Sequence, residues 1–114
     1  SVNGSAIPLG SNFSGSNLGG AVFHEAGLIG VNFSGANLSG ASFSGDLTGV
    51  NFSGANLSGA NFLGNQTGTD FTNANLAGAT FTGAFTVLGA DFTGANLAGT
   101  DFGRTQTEGA IGLP

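Results

Sequence analysis

The chain has 114 residues, a length that suits one domain, and it carries one Lys or Arg against six Asp and Glu, for a formal net charge of −5. Only 6% of its residues are charged, which excludes electrostatic recognition of DNA, RNA or an anionic membrane surface. No run reaches the roughly 20 apolar residues needed to cross a bilayer, so no membrane insertion is expected. With no Cys there is neither a disulfide framework nor thiolate chemistry.

Residues 1–10 hold Val2, Ile7 and Leu9 around Pro8 and form an irregular N-terminal segment or cap. Beyond them the chain becomes periodic. A series of nineteen central residues runs Phe13, Leu18, Phe23, Leu28, Phe33, Leu38, Phe43, Leu47, Phe52, Leu57, Phe62, Gln66, Phe71, Leu76, Phe81, Val87, Phe92, Leu97, Phe102. The step is five residues, which fits neither the 3.6 of a helix nor the 2 of a flat strand. Such repetition signals a solenoid, in which each unit buries its apolar residue only against neighbouring units. Three steps depart from five: Phe43 to Leu47 and Phe62 to Gln66 are four residues, and Phe81 to Val87 is six. All three enter the same member of every fourth unit, so the chain turns once per four units, in coils of 19–21 residues. A stack of nearly five such coils, about 4.7–4.9 Å apart, makes an ordered rod of about 20–25 Å.

Each unit repeats a small grammar. Two positions after the centre, 16 of the 19 units carry Gly, the exceptions being Glu25, Asn73 and Arg104; a tight turn needing positive φ accounts for this. Small residues such as Ala36, Ala55, Ala74 and Ala95 stand two positions before the centre and fill space between larger core side chains. One position before it, 14 units carry Asn or Asp, which face solvent and bond local backbone at the turn. In the four-residue steps Gly45 and Gly64 end one unit and begin the next.

The units Ala36-Asn37-Leu38-Ser39-Gly40, Ala55-Asn56-Leu57-Ser58-Gly59 and Ala95-Asn96-Leu97-Ala98-Gly99 resemble the consensus of the pentapeptide-repeat family, small–Asn/Asp–Leu/Phe–polar–variable, and the resemblance spans residues 11–104. It implies an all-β fold, a right-handed quadrilateral β-helix of four pentapeptides per coil, here about five coils, with the repeat over 11–107 and a tail over 108–114. Some members of the family bind DNA gyrase as acidic mimics of DNA, so the resemblance admits a protein–protein interaction module. Six scattered acids make a poor mimic of a duplex. The chain departs from the family in its nearly constant Gly, its scarce charge and its off-length steps.

The period assigns four faces. Face one stacks Phe13, Phe33, Phe52, Phe71 and Phe92; face two the leucines from Leu18 to Leu97; face three Phe23, Phe43, Phe62, Phe81 and Phe102; face four Leu28, Leu47, Gln66, Val87 and then Gln106. Two opposite Phe columns are expected, with leucines between them. Gln66 interrupts the apolar column, and a buried amide without partners is costly. Either it bonds backbone carbonyls inside, the preferred alternative, or that corner opens to solvent.

No catalytic residue, cofactor or metal site is expected. His24 is the single imidazole, and no second His or any Lys is present to activate a serine nucleophile. Asp70 and Asp91 fall one coil apart on face one, close enough to raise each other's pKa or hold a cation weakly, but they need no role beyond the Asn/Asp ladder of the turns. The column Ser14, Ser34, Ser53, Thr72, Thr93 offers a hydroxyl face able to order water or ice or to dock a flat partner. Asn-x-Ser/Thr matches such as Asn32-Phe33-Ser34 are by-products of the repeat. Ile29, Leu63, Phe85 and Leu88 are the apolar residues expected to lie exposed near faces three and four, as a contact patch.

The ends complete the expectations. Neither end reads as a capping helix, and an uncapped solenoid exposes apolar cross-section and unpaired backbone. Val2, Ile7 and Leu9 at one end and Ile111 and Leu113 at the other either plug their own ends or complete a composite coil between molecules. Head-to-tail contacts that do not close give filaments. The expectation is a non-enzymatic structural protein, a homo-oligomer or homopolymer through its ends, with a protein-interaction module as the alternative. The first residue is Ser1, as after removal of a secretory leader or excision, and the Asn-, Ser-, Thr- and Gly-rich surface leans towards a place outside the cytoplasm.

Overall fold

The structure, a computed structural model, describes residues 2–3, 7–8, 10–24, 28–81, 86–103, 107 and 109–113, with residues 2, 3 and 24 described by their backbone alone. Four short strands, β1 (Val2–Asn3), β2 (Val22–His24), β3 (Ser42–Phe43) and β4 (Asn61–Phe62), pair in parallel in the order β1-β2-β3-β4. Each partner lies one coil away: Val2 opposite Phe23, Phe23 opposite Phe43, Phe43 opposite Phe62. Single parallel bridges carry the same ladder along the other faces, through Asn12, Asn32, Asn51, Asp70, Asp91 and Ile111 on face one and through Asn17, Asn37, Asn56, Asn75 and Asn96 on face two. The result is a four-sided β-helix, 36 × 22 × 19 Å. It continues past both ends of the Phe13–Phe102 series, because Val2–Asn3 forms a rung on face three and Ile111 one on face one.

The corners explain the grammar of the units. The Ala36 N–H bonds the Phe33 carbonyl at 3.0 Å, closing a turn whose third residue, Gly35, has φ +65°; this is a type II turn, which demands positive φ at that place. Asn73 fills the same place with φ 58°, the single non-glycine residue of this kind among the described residues, and Asn tolerates the left-handed region better than most side chains. Glu25 and Arg104, the other two exceptions, lie outside the described residues. The amide following each centre points out of the ladder, and the Asn or Asp before the centre takes it: Ser34 N–H donates to Asn32 Oδ1 at 2.9 Å, Ser53 N–H to Asn51 Oδ1 at 2.9 Å and Thr72 N–H to Asp70 Oδ1 at 2.9 Å. Asn51→Ala should therefore lower stability by about 1 kcal/mol, the worth of one such bond, while Asn51→Asp keeps the acceptor and most of the stability; urea melts of the two variants compare them directly.

Face three is built differently. Where the step is four residues there is no room for the type II turn, and the amide after the centre turns back to the preceding coil: Ser44 N–H bonds the Phe23 carbonyl at 3.1 Å and Leu63 N–H the Phe43 carbonyl at 2.8 Å. That second ladder bond per rung is why the described strands of two or more residues lie on this face.

Inside, both Phe columns form as the period requires. Rings stack along each column, for example Phe23 on Phe43 at 4.9 Å and Phe71 on Phe92 at 4.9 Å, within 1° and 7° of parallel. The columns also touch each other edge to face across the core, as Phe43 meets Phe52 at 5.3 Å and 75°. The leucines thus flank a continuous aromatic slab. Gln66 is fully buried in the face-four column. Its Nε2 donates to the Gly64 carbonyl at 2.8 Å, as preferred above, but its Oε1 is buried without a partner. Thr69, also fully buried, donates its hydroxyl to the Leu47 carbonyl at 2.9 Å. At the foot of face four the Ala110 N–H bonds the Thr107 carbonyl as the Ala90 N–H bonds that of Val87. Thr107 therefore holds the turn position expected for Gln106, which itself lies outside the described residues.

Candidate interaction surfaces

The outward columns differ from face to face. On face two Asn side chains form a partial ladder, with Asn37 Nδ2 donating to Asn17 Oδ1 at 3.1 Å and Asn96 Nδ2 to Asn75 Oδ1 at 3.4 Å. On face one the hydroxyl column is partly committed to its own rungs: Thr72 and Thr93 donate Oγ1–H to Asp70 and Asp91 at 2.7 and 2.6 Å. Their protons are thus held by the carboxylates of their own rungs rather than offered to water or a partner.

Asp70 and Asp91 are neighbours on the ladder, as their spacing requires, yet the Asp91 carboxyl moves down rather than up. The Thr93 hydroxyl, and after it the Thr93 N–H, hold its pKa below the ordinary value of 3.8 against a smaller opposing effect of burial. A group lowered in the folded state stabilises the fold above its unfolded-state value, and that contribution is lost as pH falls through the folded-state value. A carboxyl titration followed by NMR should place the Asp91 midpoint below 3.8. Thr93→Ala should return it toward that value, because both the hydroxyl donor and the fixed turn geometry are weakened. Among the described residues no three His, Asp or Glu side chains gather as a metal site.

The described members of the expected apolar patch stand on faces three and four. Ile29 and Leu88 are exposed, at 45% and 52%, in the same outward column of face four, with Thr48 and Thr67 on the two coils between them. Leu63, at 44%, belongs to face three; Phe85 lies outside the described residues. The end residues also separate. Ile111 takes the outward place that Asp91 has one coil earlier and is 55% exposed, whereas Leu113 turns inward and packs on the core. Gly112 between them has φ +80°, and its α-carbon lies so close to Phe92 and Thr93 that an added Cβ would sit 2.6 Å from the Thr93 nitrogen. At the other end Ile7 packs on the core, while Leu9 lies outside the described residues and Val2 is known by its pairing with Phe23.

The rod's two ends are its least covered parts. Phe13, Leu18, Leu97 and Phe102 are only half-buried, whereas the equivalent residues between them are buried. At the C-terminal end a cavity of about 310 Å³, partly open to solvent, is lined by Leu97, Thr100, Phe102, Thr107 and Leu113.

A family model described as pentapeptide repeats, in eight copies, matches residues 10–45, 46–66, 67–85 and 88–110. The chain belongs to the pentapeptide-repeat family. Its fold is accordingly the right-handed quadrilateral β-helix that the resemblance implies. Among solved pentapeptide-repeat structures it is similar to HetL, a protein involved in heterocyst differentiation regulation in the cyanobacterium Nostoc sp. strain PCC 7120, with 23% identity, a TM-score of 0.65 and coverage of 90% of this chain and 60% of HetL. Rfr23 of the cyanobacterium Cyanothece 51142 aligns at 23% identity with a TM-score of 0.49, over 92% of this chain and 90% of Rfr23. The chain thus spans about 60% of the length of HetL, and at this identity the likeness is one of fold. No curated protein sequence matches the chain.

Proposed function

We propose that this pentapeptide-repeat protein is a non-enzymatic scaffold that works through its ends, associating end to end into filaments. The observation that carries this proposal is that Phe13, Leu18, Leu97 and Phe102 stay half-buried where the equivalent residues between them are buried. Among the described residues faces one and three have six rungs each, from Asn12 to Ile111 and from Val2 to Phe102, and face two has five, from Asn17 to Asn96. A second copy stacked in register sets its β1 against Asp101 and Phe102 and its Asn12 and Phe13 against Ile111 and Gly112, which continues the ladder and covers the half-buried Phe and Leu side chains. The described carboxylates Asp46, Asp70, Asp91 and Asp101 are spread over three faces, an arrangement that favours contacts at the ends over an acidic side. Placement outside the cytoplasm belongs to the same proposal and is supported by composition alone.

Light scattering and electron microscopy over a wide concentration range test the proposal. Mass that rises with concentration, in rods lengthening by multiples of one molecule, is the expected result; a bulky domain fused after residue 114 should then halt growth. A constant monomer mass at every concentration rejects it.

A further inference from the structure

We propose that Asn65 is an acceptor for N-linked glycosylation of the folded chain, its carboxamide nitrogen taking one sugar from a nucleoside diphosphate sugar. Six Asn-x-Ser/Thr triplets, the recognition pattern of this modification, lie among the described residues, at Asn12, Asn32, Asn37, Asn51, Asn56 and Asn65. Five of them follow from the repeat, with Phe or Leu as the middle residue and Ser as the third. Asn65-Gln66-Thr67 departs in both places.

The fold also treats the sixth triplet differently. In the other five the Asn Oδ1 accepts the N–H of the triplet's own Ser, at 3.0 Å from Ser14, 2.9 Å from Ser34, 3.2 Å from Ser39, 2.9 Å from Ser53 and 3.1 Å from Ser58. That bond ties the carboxamide to its own rung, and Asn37 commits its nitrogen as well, to Asn17 Oδ1. Asn65 is the one Asn or Asp before a described centre whose side chain accepts no hydrogen bond. Neither its carboxamide nor the N–H and hydroxyl of Thr67 has a hydrogen-bond partner among the described residues.

Asn65 is exposed and Thr67 half-buried, and they flank the fully buried Gln66. Both therefore stand on the outward side of one rung of face four. A transferase that grips the Thr67 hydroxyl and the Asn65 nitrogen reaches both without opening the coil. In the reaction Asn65 Nδ2 attacks the anomeric carbon of the sugar, and the bond from that carbon to the diphosphate oxygen breaks. The nucleoside diphosphate leaves with the electron pair, and one Nδ2 proton passes to a base of the transferase. An amide nitrogen is a weak nucleophile because its lone pair is delocalised into the carbonyl. The enzyme must turn the amide to release it, which a carboxamide tied to its rung resists. Leu63, two residues earlier, and Leu88, next to Thr67 on the following coil, are both exposed. A sugar on Asn65 thus stands between two apolar side chains and limits lateral contact there. The acceptor lies mid-rod on the folded chain, so the inference depends neither on end-to-end association nor on a place outside the cytoplasm.

Peptide mapping by mass spectrometry of the chain from its native source tests the proposal, with one glycan expected, on Asn65. In vitro, the full chain incubated with UDP-glucose and a soluble glucosyltransferase specific for Asn-x-Ser/Thr should gain hexose at Asn65 about tenfold faster than at any other Asn, the worth of one hydrogen bond. Thr67→Ala should abolish that transfer while the circular dichroism spectrum stays unchanged. Ser53→Thr gives Asn51 the same third residue and should still leave Asn51 slow, because its Oδ1 remains bonded. A native chain with Asn65 bare overturns the proposal, as does transfer to Asn12, Asn37 or Asn56 at the Asn65 rate. Glycans spread over several of the triplets, the mark of transfer from a lipid-linked donor before folding, overturn it equally.

Discussion

Gly64→Ala is expected to be the most damaging single substitution in the described chain, lowering stability by about 3 kcal/mol or more. A Cβ at Gly64 would be driven into the Gly45 carbonyl oxygen of the preceding coil, with the Gly45 carbonyl carbon 2.6 Å away. Both obstacles are backbone, held by the ladder bonds of Ser44 and Leu63 on the same corner, so no side chain can move aside. Gly54→Ala is the informative contrast. Gly54 has φ +65° but nothing within 4 Å of an added Cβ, so the cost there is the left-handed backbone alone, about 1–2 kcal/mol. Thermal and urea unfolding of the two variants separates close packing from conformational strain. Equal losses would mean that the corner between faces three and four is less tightly stacked than its geometry requires.

Gln66→Leu should move stability the other way, by about 1–2 kcal/mol, with a rise of roughly 5 °C or more in Tm. The buried Oε1 without a partner carries its desolvation penalty uncompensated, on the order of 1–3 kcal/mol. The amide bond to the Gly64 carbonyl offsets only part of it. Leucine restores the column between Leu47 and Val87, both fully buried. Gln66→Glu should destabilise strongly at neutral pH, because a carboxylate would be buried beside the same Gly64 carbonyl. A Gln66→Leu variant that melts no higher than the parent would show that Oε1 is satisfied in solution by some other group.

The middle of the rod was legible because every coil has two neighbours of the same pattern. The alternation of Phe33, Leu38, Phe43 and Leu47 gave the faces, Gly35 and Gly54 gave the turns, and Asn32 and Asn51 gave the turn-capping side chains. What escaped was whatever depends on a single coil or an end. The retreat of the Ser44 and Leu63 amides to the coil before follows from the backbone path through a four-residue step, which no side chain announces. Thr107 rather than Gln106 holds the last described turn of face four, five residues after Phe102, which is the ordinary step of the repeat. Ile111 and Leu113 are both apolar and two residues apart, yet they take opposite sides of a rung, one outward and one over the core. The apolar residues Ile29, Leu63 and Leu88 were correctly read as exposed, but their separation by whole coils needed the ladder to be seen.

The irregular corner has a further consequence for how the chain finds its fold. Coils that share the same side chains and the same bonds can in principle pair one repeat out of step, leaving a coil-length loop extruded from an otherwise well-bonded pile. The four-residue steps at Gly45 and Gly64 fit only each other, and the six-residue step between Phe81 and Val87 fits neither. These apparent flaws in the repeat give individual coils an address. A version with every step regularised to five residues should be harder, not easier, to refold into a single species.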